Sequence, residues 1–213
     1  IILVTENPAE KAQVEQNYRA VFEACGVNES ELVVFWGTPH EEVDFIRLVS
    51  EKPTGIFVGG GSTPRYHNML CKDLSWLDYV IENQIPYAGF SAGATIAAEH
   101  AVLGGWKVSL NGREFEIMDE ELSEGLDALE VKPGLGLVPF SVEAHASQWG
   151  TVTRLMHAVD LEMIDEGWAI DENTSLQIEN GLIEVKGLGQ AYHLQRQSDD
   201  TISTKIFHAE MAN

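Results

Sequence analysis

The residues from Gly89 to Gly93 form the pattern Gly-x-Ser-x-Gly, and their types and spacing point to nucleophilic chemistry. The pattern follows a short apolar run, residues 85–89, and precedes a helix-like stretch, residues 92–100. A sharp turn between a strand and a helix presents a serine hydroxyl to solvent, and small flanking residues are needed because the backbone passes close to itself. We therefore predict that Ser91 is a nucleophile on such an elbow; a structural turn is the alternative.

Two backbone segments are expected to stabilise the negative charge on a carbonyl oxygen that Ser91 attacks. A helix that begins just after Ser91 directs N–H groups towards the site, so the N–H of Ala92 is one expected donor. Gly59 to Ser62 end another strand-like run, and the N–H of Gly60 or Gly61 is expected to be the second donor. A tight turn or a phosphate-binding loop is the alternative, but the run lacks the motifs of Walker and dinucleotide loops.

A serine nucleophile needs a base within hydrogen-bond reach. His145 is the predicted base because it lies in a loop region just past the apolar segment 135–140, which we predict to be a core strand. His67 lies shortly after the glycine run, where it is expected to line the pocket. The remaining histidines fall at helix or strand positions that suit structural or surface roles: His40, His100, His157, His193 and His208.

The base in turn needs a group that orients it. Asp171 and Glu172 follow the apolar run Trp168 to Ile170, and a carboxylate at a strand end can accept a hydrogen bond from an imidazole. Position alone does not choose between the two, and both also suit a turn. Glu143, two residues before His145, is a third candidate.

The composition limits the function classes. A net charge of -21 repels phosphate backbones and anionic lipid, so nucleic acid and membrane partners are not expected, although cationic substrates are compatible with it. No apolar run approaches the ~20 residues that cross a bilayer, and Ile1 to Thr5 predict a strand and not a signal peptide. Cys25 and Cys71 lie in no thiol-activating motif, which favours structural roles and a cytoplasmic location.

The elements that must position these residues follow an α/β pattern. Four strand–helix units in the first half predict a doubly wound, mostly parallel sheet with helices on both faces. The predicted strands are 1–5, 31–36, 55–58 and 85–89, and the predicted helices are 7–25, 40–49, 74–83 and 92–100.

The second half has a different pattern. Residues 106–132 are acidic and poorly periodic, which predicts an excursion or flap, and we predict a single domain over residues 1–213. Asn180-Gly181 between two alternating segments predicts a β-hairpin in the C-terminal region. The predicted elements of this half are a helix at 152–159 and strands at 175–179, 182–185, 189–195 and 201–207.

Four segments, in this order, resemble the S51 serine peptidases, a family that includes aspartyl dipeptidase and cyanophycinase. The segments are Val58 to Thr63, Gly89 to Ala94, Gly134 to His145 and Ile170 to Thr174, and the likeness covers nearly the whole chain. The resemblance implies a three-layer fold with a sheet like that of class I glutamine amidotransferases. It also implies a Ser-His-Glu triad of Ser91, His145 and Glu172 that acts on peptides without a metal or cofactor.

The sequence departs from the family where substrates are selected. Ser62 stands where aspartyl dipeptidases usually carry Asn, and their substrate-binding arginine corresponds to a place near Thr151, with Arg154 the nearest basic residue. Cyanophycinases tend to carry Asp-Gln-His-Phe and then Arg-Gly-Arg, whereas residues 143–150 read Glu-Ala-His-Ala-Ser-Gln-Trp-Gly. We predict that Ser62, His67 and Arg154 line the substrate site, and the substrate's side-chain preference stays open.

Two other functions fit parts of the pattern. An esterase or amidase of the α/β-hydrolase type shares Gly-x-Ser-x-Gly but orders its triad Ser, acid, His. Here the acid follows the histidine, which argues against that type. A non-catalytic binding protein on the same scaffold is the second alternative. A small peptide is the expected partner, and the sequence is compatible with a homo-oligomer.

Overall fold

The computed structural model describes residues 1–210, and these divide into two compact units. The first unit is Ile1–Gly93, and the second begins at Ala94. The single domain predicted over residues 1–213 stays a prediction, and its last three residues lie outside the described part.

The first unit is built on a parallel sheet, as predicted. Its four strands lie in the order β2-β1-β3-β4, and every pair of neighbours is parallel. The strands are β1 (Ile2–Val4), β2 (Phe35–Gly37), β3 (Ile56–Val58) and β4 (Tyr87–Gly89). The helices are α1 (Lys11–Ala24), α2 (Phe45–Ser50), α3 (Thr63–Leu70) and α4 (Ser75–Glu82), and α5 (Ala92–Ile96) runs across the boundary.

Local signals in the sequence explain where these elements begin. The Asn7 side chain accepts a hydrogen bond from the N–H of Ala9, and Pro8 opens a 3-10 turn that leads into α1. Helix α1 then packs on β3, since the rings of Tyr18 and Phe22 lie 5.7 Å and 5.1 Å from that of Phe57. Ile2 and Leu3 of β1, Phe35 of β2 and Ile56 and Val58 of β3 are buried, as expected of a sheet that is covered by helices, whereas β4 is only partly buried.

The second unit contains a mixed sheet in the order β14-β13-β10-β9 and three two-stranded sheets. Strands β9 and β10 are parallel, whereas β13 is antiparallel to both of its neighbours. The elements are β5 (His100–Gly104), β6 (Lys107–Leu110), β7 (Arg113–Glu116), β8 (Glu130–Pro133), β9 (Ser141–Ala144), α6 (Thr151–Asp160), β10 (Glu166–Ile170), β11 (Thr174–Glu179), β12 (Leu182–Gly187), β13 (Gln190–Arg196) and β14 (Ile202–His208).

The core of this unit forms where α6 meets the mixed sheet. Leu155, Ala158 and Val159 of α6 are fully buried and pack with Ala169 of β10 and Leu194 of β13. The predicted hairpin is confirmed as β11 and β12, with Asn180 and Gly181 at φ of 51° and 79° in the turn. The predicted strands at 189–195 and 201–207 and the predicted helix at 152–159 are also present, as β13, β14 and α6.

Two sequence predictions are wrong in this region. No strand covers residues 135–140; the N–H groups of Leu135 and Leu137 bond instead to the carbonyls of Ile96 and Ala97, at the end of α5, and the strand begins at Ser141. Helix α5 stops at Ile96, because Ala98 forms a bridge with Val138, so His100 begins a strand. Residues 106–132, predicted as an excursion or flap, contain the β6–β7 hairpin and β8, which pairs with β5.

Among residues 1–210, no helix is long and apolar enough to cross a membrane.

Candidate active site

Ser91 lies on the turn between β4 and α5, as the Gly-x-Ser-x-Gly pattern predicts. Its φ is 51°, in the left-handed region that few residues other than glycine adopt. The N–H of Phe90 donates to the carbonyl of Val58 at 2.9 Å, and the N–H of Gly93 donates to that of Gly59 at 3.1 Å. Because both ends of the turn are bonded to β3 and the loop after it, the strained conformation at Ser91 is held in place.

The glycines around Ser91 are required by close backbone contacts. A Cβ on Gly93 would lie 2.3 Å from the carbonyl oxygen of Val58, so no side chain fits there. A Cβ on Gly60 would lie 3.0 Å from the Cβ of Ser91 and 2.9 Å from the Cδ1 of Phe90. The loop after β3 therefore passes directly beside the serine, and its backbone is within reach of a group that Ser91 attacks.

This glycine loop lies at a favourable position in the sheet. Strand order reverses between β1 and β3, and Gly59 to Gly61 follow the carboxyl end of β3 at that point. Open parallel sheets bind their ligands at such a switch point. Gly61 is exposed and has a φ of 153°, a conformation that side chains rarely tolerate.

Two tyrosines hold Gly60 from opposite sides. Its N–H donates to the Tyr18 hydroxyl at 2.8 Å, while the Tyr66 hydroxyl donates to its carbonyl oxygen at 3.2 Å and accepts from the N–H of Val4 at 3.0 Å. Burial raises the pKa of Tyr18 and that of Tyr66, so both hydroxyls stay protonated. Because the Gly60 N–H already has a partner, Gly61 is the better candidate for an oxyanion donor.

His145 and Glu172 form a hydrogen-bonded pair. His145 directly follows β9, and Glu172 lies two residues after the end of β10. The distance between Nδ1 of His145 and Oε1 of Glu172 is 3.0 Å. The parallel pairing of β9 with β10 brings the two ends together, and the Gln148 side chain accepts from the N–H of Glu172 at 3.0 Å. A carboxylate only accepts hydrogen bonds, so the pair places the proton on Nδ1 and leaves Nε2 as the basic nitrogen.

Asp171, the neighbouring candidate acid, has a different set of partners. Its Oδ1 accepts from the N–H and the hydroxyl of Ser147 at 3.0 Å and 2.6 Å, and its Oδ2 accepts from the N–H of Gln190 at 3.1 Å. The side chain is buried and ties the turn after His145 to β13. Asp171 therefore supports the backbone, and the hydrogen-bond partner of His145 is Glu172; the role of Glu172 as orienting acid stays a prediction.

Trp149 covers the imidazole of His145, a contact that the sequence analysis did not foresee. The two rings are stacked, with centroids 3.9 Å apart and planes at 12°. The N–H of Trp149 donates to the carbonyl of His145 at 2.9 Å, which closes the turn and brings the indole over the histidine. The signal in the sequence was the departure of residues 143–150 from the expected family pattern, and Trp149 lies in that segment.

Arg154 lies in the interior, where the third candidate acid is its partner. Its Nε and Nη2 donate to the two carboxylate oxygens of Glu143 at 2.6 Å and 2.9 Å, and its Nη1 donates to the carbonyl of Leu122 at 3.1 Å. Both side chains are at most 5% exposed. A buried guanidinium that is already paired with a carboxylate is poorly placed to bind a substrate, so neither residue enters the function proposed below.

The other two predicted substrate residues lie at the start of α3 and within this helix. Ser62 is the residue before α3, and His67 lies within it; both are partly exposed. The structure therefore places Ser62 directly after the glycine loop and His67 one turn further along the helix.

His193 and the two cysteines have surroundings of their own. His193 of β13 pairs with Glu166 of β10 at 2.7 Å and stacks on Trp168, which suits a structural role. Cys25 and Cys71 are both free thiols, and burial raises the pKa of Cys71 to about 12, so that thiol is not activated. Within residues 1–210 no group of three or more potential ligands among His, Cys, Asp and Glu could hold a metal ion.

A serine on a strained strand–helix turn and a histidine oriented by a carboxylate are features typical of hydrolases with a serine nucleophile. The sequence profile of Peptidase family S51 matches residues 7–186, and the chain therefore belongs to this family.

Curated relatives give the same family relationship. The cyanophycinase of Trichormus variabilis is 26% identical over 195 residues, which cover 89% of this chain and 61% of the relative. The cyanophycinase of a Nostoc species is 25% identical with the same coverage. That of Synechococcus elongatus is 27% identical over 174 residues, or 81% of this chain and 51% of the relative. The chain thus spans between half and two thirds of the length of these relatives.

Proposed function

We propose that this protein is a serine peptidase that hydrolyses short peptides through an acyl-enzyme, with Ser91 as nucleophile, His145 as base and Glu172 as the orienting acid. Membership of family S51 supports peptide hydrolysis as the reaction class. The order Ser, His, acid along the chain differs from the order of α/β-hydrolase esterases and so favours a peptidase of this family.

The observation that carries the proposal is the hydrogen bond between Nδ1 of His145 and Oε1 of Glu172, 3.0 Å long. A carboxylate at Nδ1 fixes the tautomer in which Nε2 can accept a proton, and it stabilises the imidazolium that results. These are the two properties that a base for a serine hydroxyl requires.

The reaction proceeds in two halves. Ser91 Oγ attacks the peptide carbonyl carbon while its proton passes to Nε2 of His145, and a tetrahedral intermediate forms. The C–N bond then breaks as His145 returns the proton to the leaving amine, which gives an ester between Ser91 and the acyl half of the substrate. Water attacks this ester with His145 again as base, and the acid product and free Ser91 are released.

The oxyanion of the intermediate is bound by backbone N–H groups in this proposal. Gly61 and Ala92 are the donors, because Tyr18 already accepts from the N–H of Gly60. Removing one such donor in other hydrolases costs about 10²- to 10³-fold in kcat, so the arrangement of the glycine loop is expected to control the rate.

Ser62 and His67, beside the glycine loop, are proposed to contact the substrate. The altered segment after His145 supports a specificity that differs from both aspartyl dipeptidase and cyanophycinase. A three-layer, doubly wound sheet, a cytoplasmic location and a homo-oligomer belong to the same proposal.

The test is hydrolysis of a defined library of di- to hexapeptides, with free and blocked termini, measured by mass spectrometry of the products. We expect the wild-type protein to cleave a subset of the peptides. Ser91→Ala and Glu172→Gln should lower kcat/KM for these peptides by at least about 10³-fold and 10²-fold respectively, because each removes one member of the proposed triad.

A matched control is available in the same unit. His193 and Glu166 form a similar pair with a distance of 2.7 Å, and Glu166→Gln should leave the rate within about 2-fold of wild type. Hydrolysis by well-folded Ser91→Ala at the wild-type rate, or an equal effect of Glu166→Gln and Glu172→Gln, would contradict the proposal.

A further inference from the structure

Trp149 is placed in an unusual way for a large aromatic side chain. It is 43% exposed, so burial of apolar surface does not account for its position. Its described ring contact is the imidazole of His145, which lies parallel to the indole at a centroid distance of 3.9 Å. The backbone hydrogen bond from Trp149 to the carbonyl of His145 fixes the spacing of the two rings.

The stack limits a rocking motion of the imidazole that the hydrogen bond to Glu172 still allows. That bond holds Nδ1 but allows the ring plane to rock about the line from Nδ1 to the carboxylate. A parallel indole against one face removes this freedom, and it also excludes water from that face. The direction of Nε2 is therefore set by Glu172 and Trp149 together.

The stack also acts differently on the two charge states of the ring. The face of an indole carries negative charge density and attracts cations more strongly than the faces of other aromatic side chains. A neutral imidazole gains little from this attraction, whereas an imidazolium gains more. An interaction that strengthens as His145 takes up a proton accelerates the step in which the proton moves.

We propose that Trp149 is a positioning residue for His145: its indole fixes the plane of the imidazole and stabilises the imidazolium formed during acylation and deacylation. The inference rests on the proposed function, in which His145 is the base.

The charged groups around the imidazole are consistent with this role. Glu172 faces Nδ1 and favours the imidazolium. Glu143 on β9 is compensated by Arg154 of α6, and both carboxylate oxygens of Asp171 accept hydrogen bonds from other groups. Glu172 and Trp149 are thus both expected to stabilise the protonated ring.

The experiment compares Trp149→Leu and Trp149→Phe with wild type in the pH dependence of kcat/KM for a cleaved peptide. We expect Trp149→Leu to lower kcat/KM by about 5- to 10-fold at the plateau and to move the acid limb to lower pH, because the imidazolium loses its aromatic partner. Trp149→Phe should recover part of both effects. Trp106, whose indole N–H donates to Asp127, provides the control: Trp106→Leu should leave the acid limb in place.

A spectroscopic readout is independent of turnover. The ring protons of His145, assigned by the loss of their signals in His145→Gln, should be shifted upfield by the indole in wild type and return towards ordinary values in Trp149→Leu. A wild-type enzyme that cleaves peptides, together with a Trp149→Leu variant of unchanged pH profile and ring shifts, would overturn this inference alone. Absence of any cleavage or acylation by wild type would overturn the proposed function, and this inference with it.

Discussion

Ser91 and His145 both adopt positive φ angles, 51° and 59°, which few residues other than glycine tolerate. Such conformations cost of order 1–3 kcal/mol each and persist where neighbouring interactions fix them. At Ser91 those interactions are the backbone bonds to β3 and its loop, and at His145 they are the bond from Trp149 and the stack of the rings. They are two of the ten non-glycine residues with a positive φ among residues 1–210, and they are the two between which the proposed reaction moves the proton.

Tyr18 provides a test at the scale of one hydroxyl group. Tyr18→Phe removes the acceptor of the Gly60 N–H and leaves that group without its partner. We expect the free energy of unfolding to fall by about 1–3 kcal/mol and kcat to fall several-fold, because the glycine loop beside Ser91 is no longer fixed. Urea denaturation and peptide hydrolysis measure the two effects.

Tyr79 of α4 serves as the control, since its hydroxyl makes no hydrogen bond within residues 1–210. Tyr79→Phe should change neither quantity appreciably. A Tyr18→Phe protein that matches Tyr79→Phe in both measurements would show that Tyr18 does not position the loop.

The sequence predicted the local turn of the candidate site but not the contacts between its side chains. The Gly-x-Ser-x-Gly spacing predicted the turn at Ser91 because that pattern depends on neighbours in the chain. The choice between Asp171 and Glu172 depends on which carboxylate meets the imidazole of His145, and adjacent residues after one strand offer no local signal for it. The stack of Trp149 on His145 depends on the irregular turn after His145, and the periodicity of apolar residues predicts only helices and strands.

At the scale of elements, the Glu143–Arg154 pair joins α6 to β9, the strand that ends at His145. Arg154 also reaches the carbonyl of Leu122, so the pair ties three segments together. Burial by itself would lower the pKa of Arg154, but the charge of Glu143 and their hydrogen bond raise it, so the guanidinium stays charged.

Removing one partner of this pair should be costly. We expect Arg154→Met to lower the free energy of unfolding by about 3–5 kcal/mol, because Glu143 is left buried without its counter-charge. The double variant Arg154→Met with Glu143→Leu should recover most of the loss. Urea denaturation of the two variants measures both values.

An exposed ion pair gives the comparison. Arg196 lies 3.3 Å from Asp200, whose side chain is 91% exposed, and Asp200→Asn should cost less than about 1 kcal/mol. A single Arg154→Met variant as stable as Asp200→Asn would contradict the structural role given to the buried pair.

The elements themselves were predicted to different degrees in the two units. Strand–helix alternation predicted the parallel sheet of the first unit because each strand is a short apolar run. The helices were predicted less well, since α2 begins at Phe45 and not at His40, and α3 was not predicted. The strand predicted at residues 135–140 is absent because that segment is apolar for another reason: its backbone bonds to the chain at the end of α5, and the side chains of Leu135 and Phe140 are buried. Hydrophobicity reports burial, and it does not report which backbone groups pair.

At the scale of the whole molecule, the residues of the proposed triad, Ser91, His145 and Glu172, lie far apart along the chain. The support for joining them is membership of family S51 over residues 7–186, which includes all three residues. The acidic net charge of -21 is compatible with a peptide substrate and argues against nucleic acid as a partner.

Covalent labelling by a fluorophosphonate probe tests the central claim most directly, because the probe reacts with a serine that a base has activated and requires no knowledge of the substrate. Intact-mass and peptide mass spectrometry should show one adduct on the wild-type protein, located on Ser91. The adduct should be absent from Ser91→Ala and should form at least about 10²-fold more slowly on Glu172→Gln. A folded wild-type protein that stays unlabelled, or an adduct that forms equally on Ser91→Ala, would contradict the assignment of Ser91 as the nucleophile.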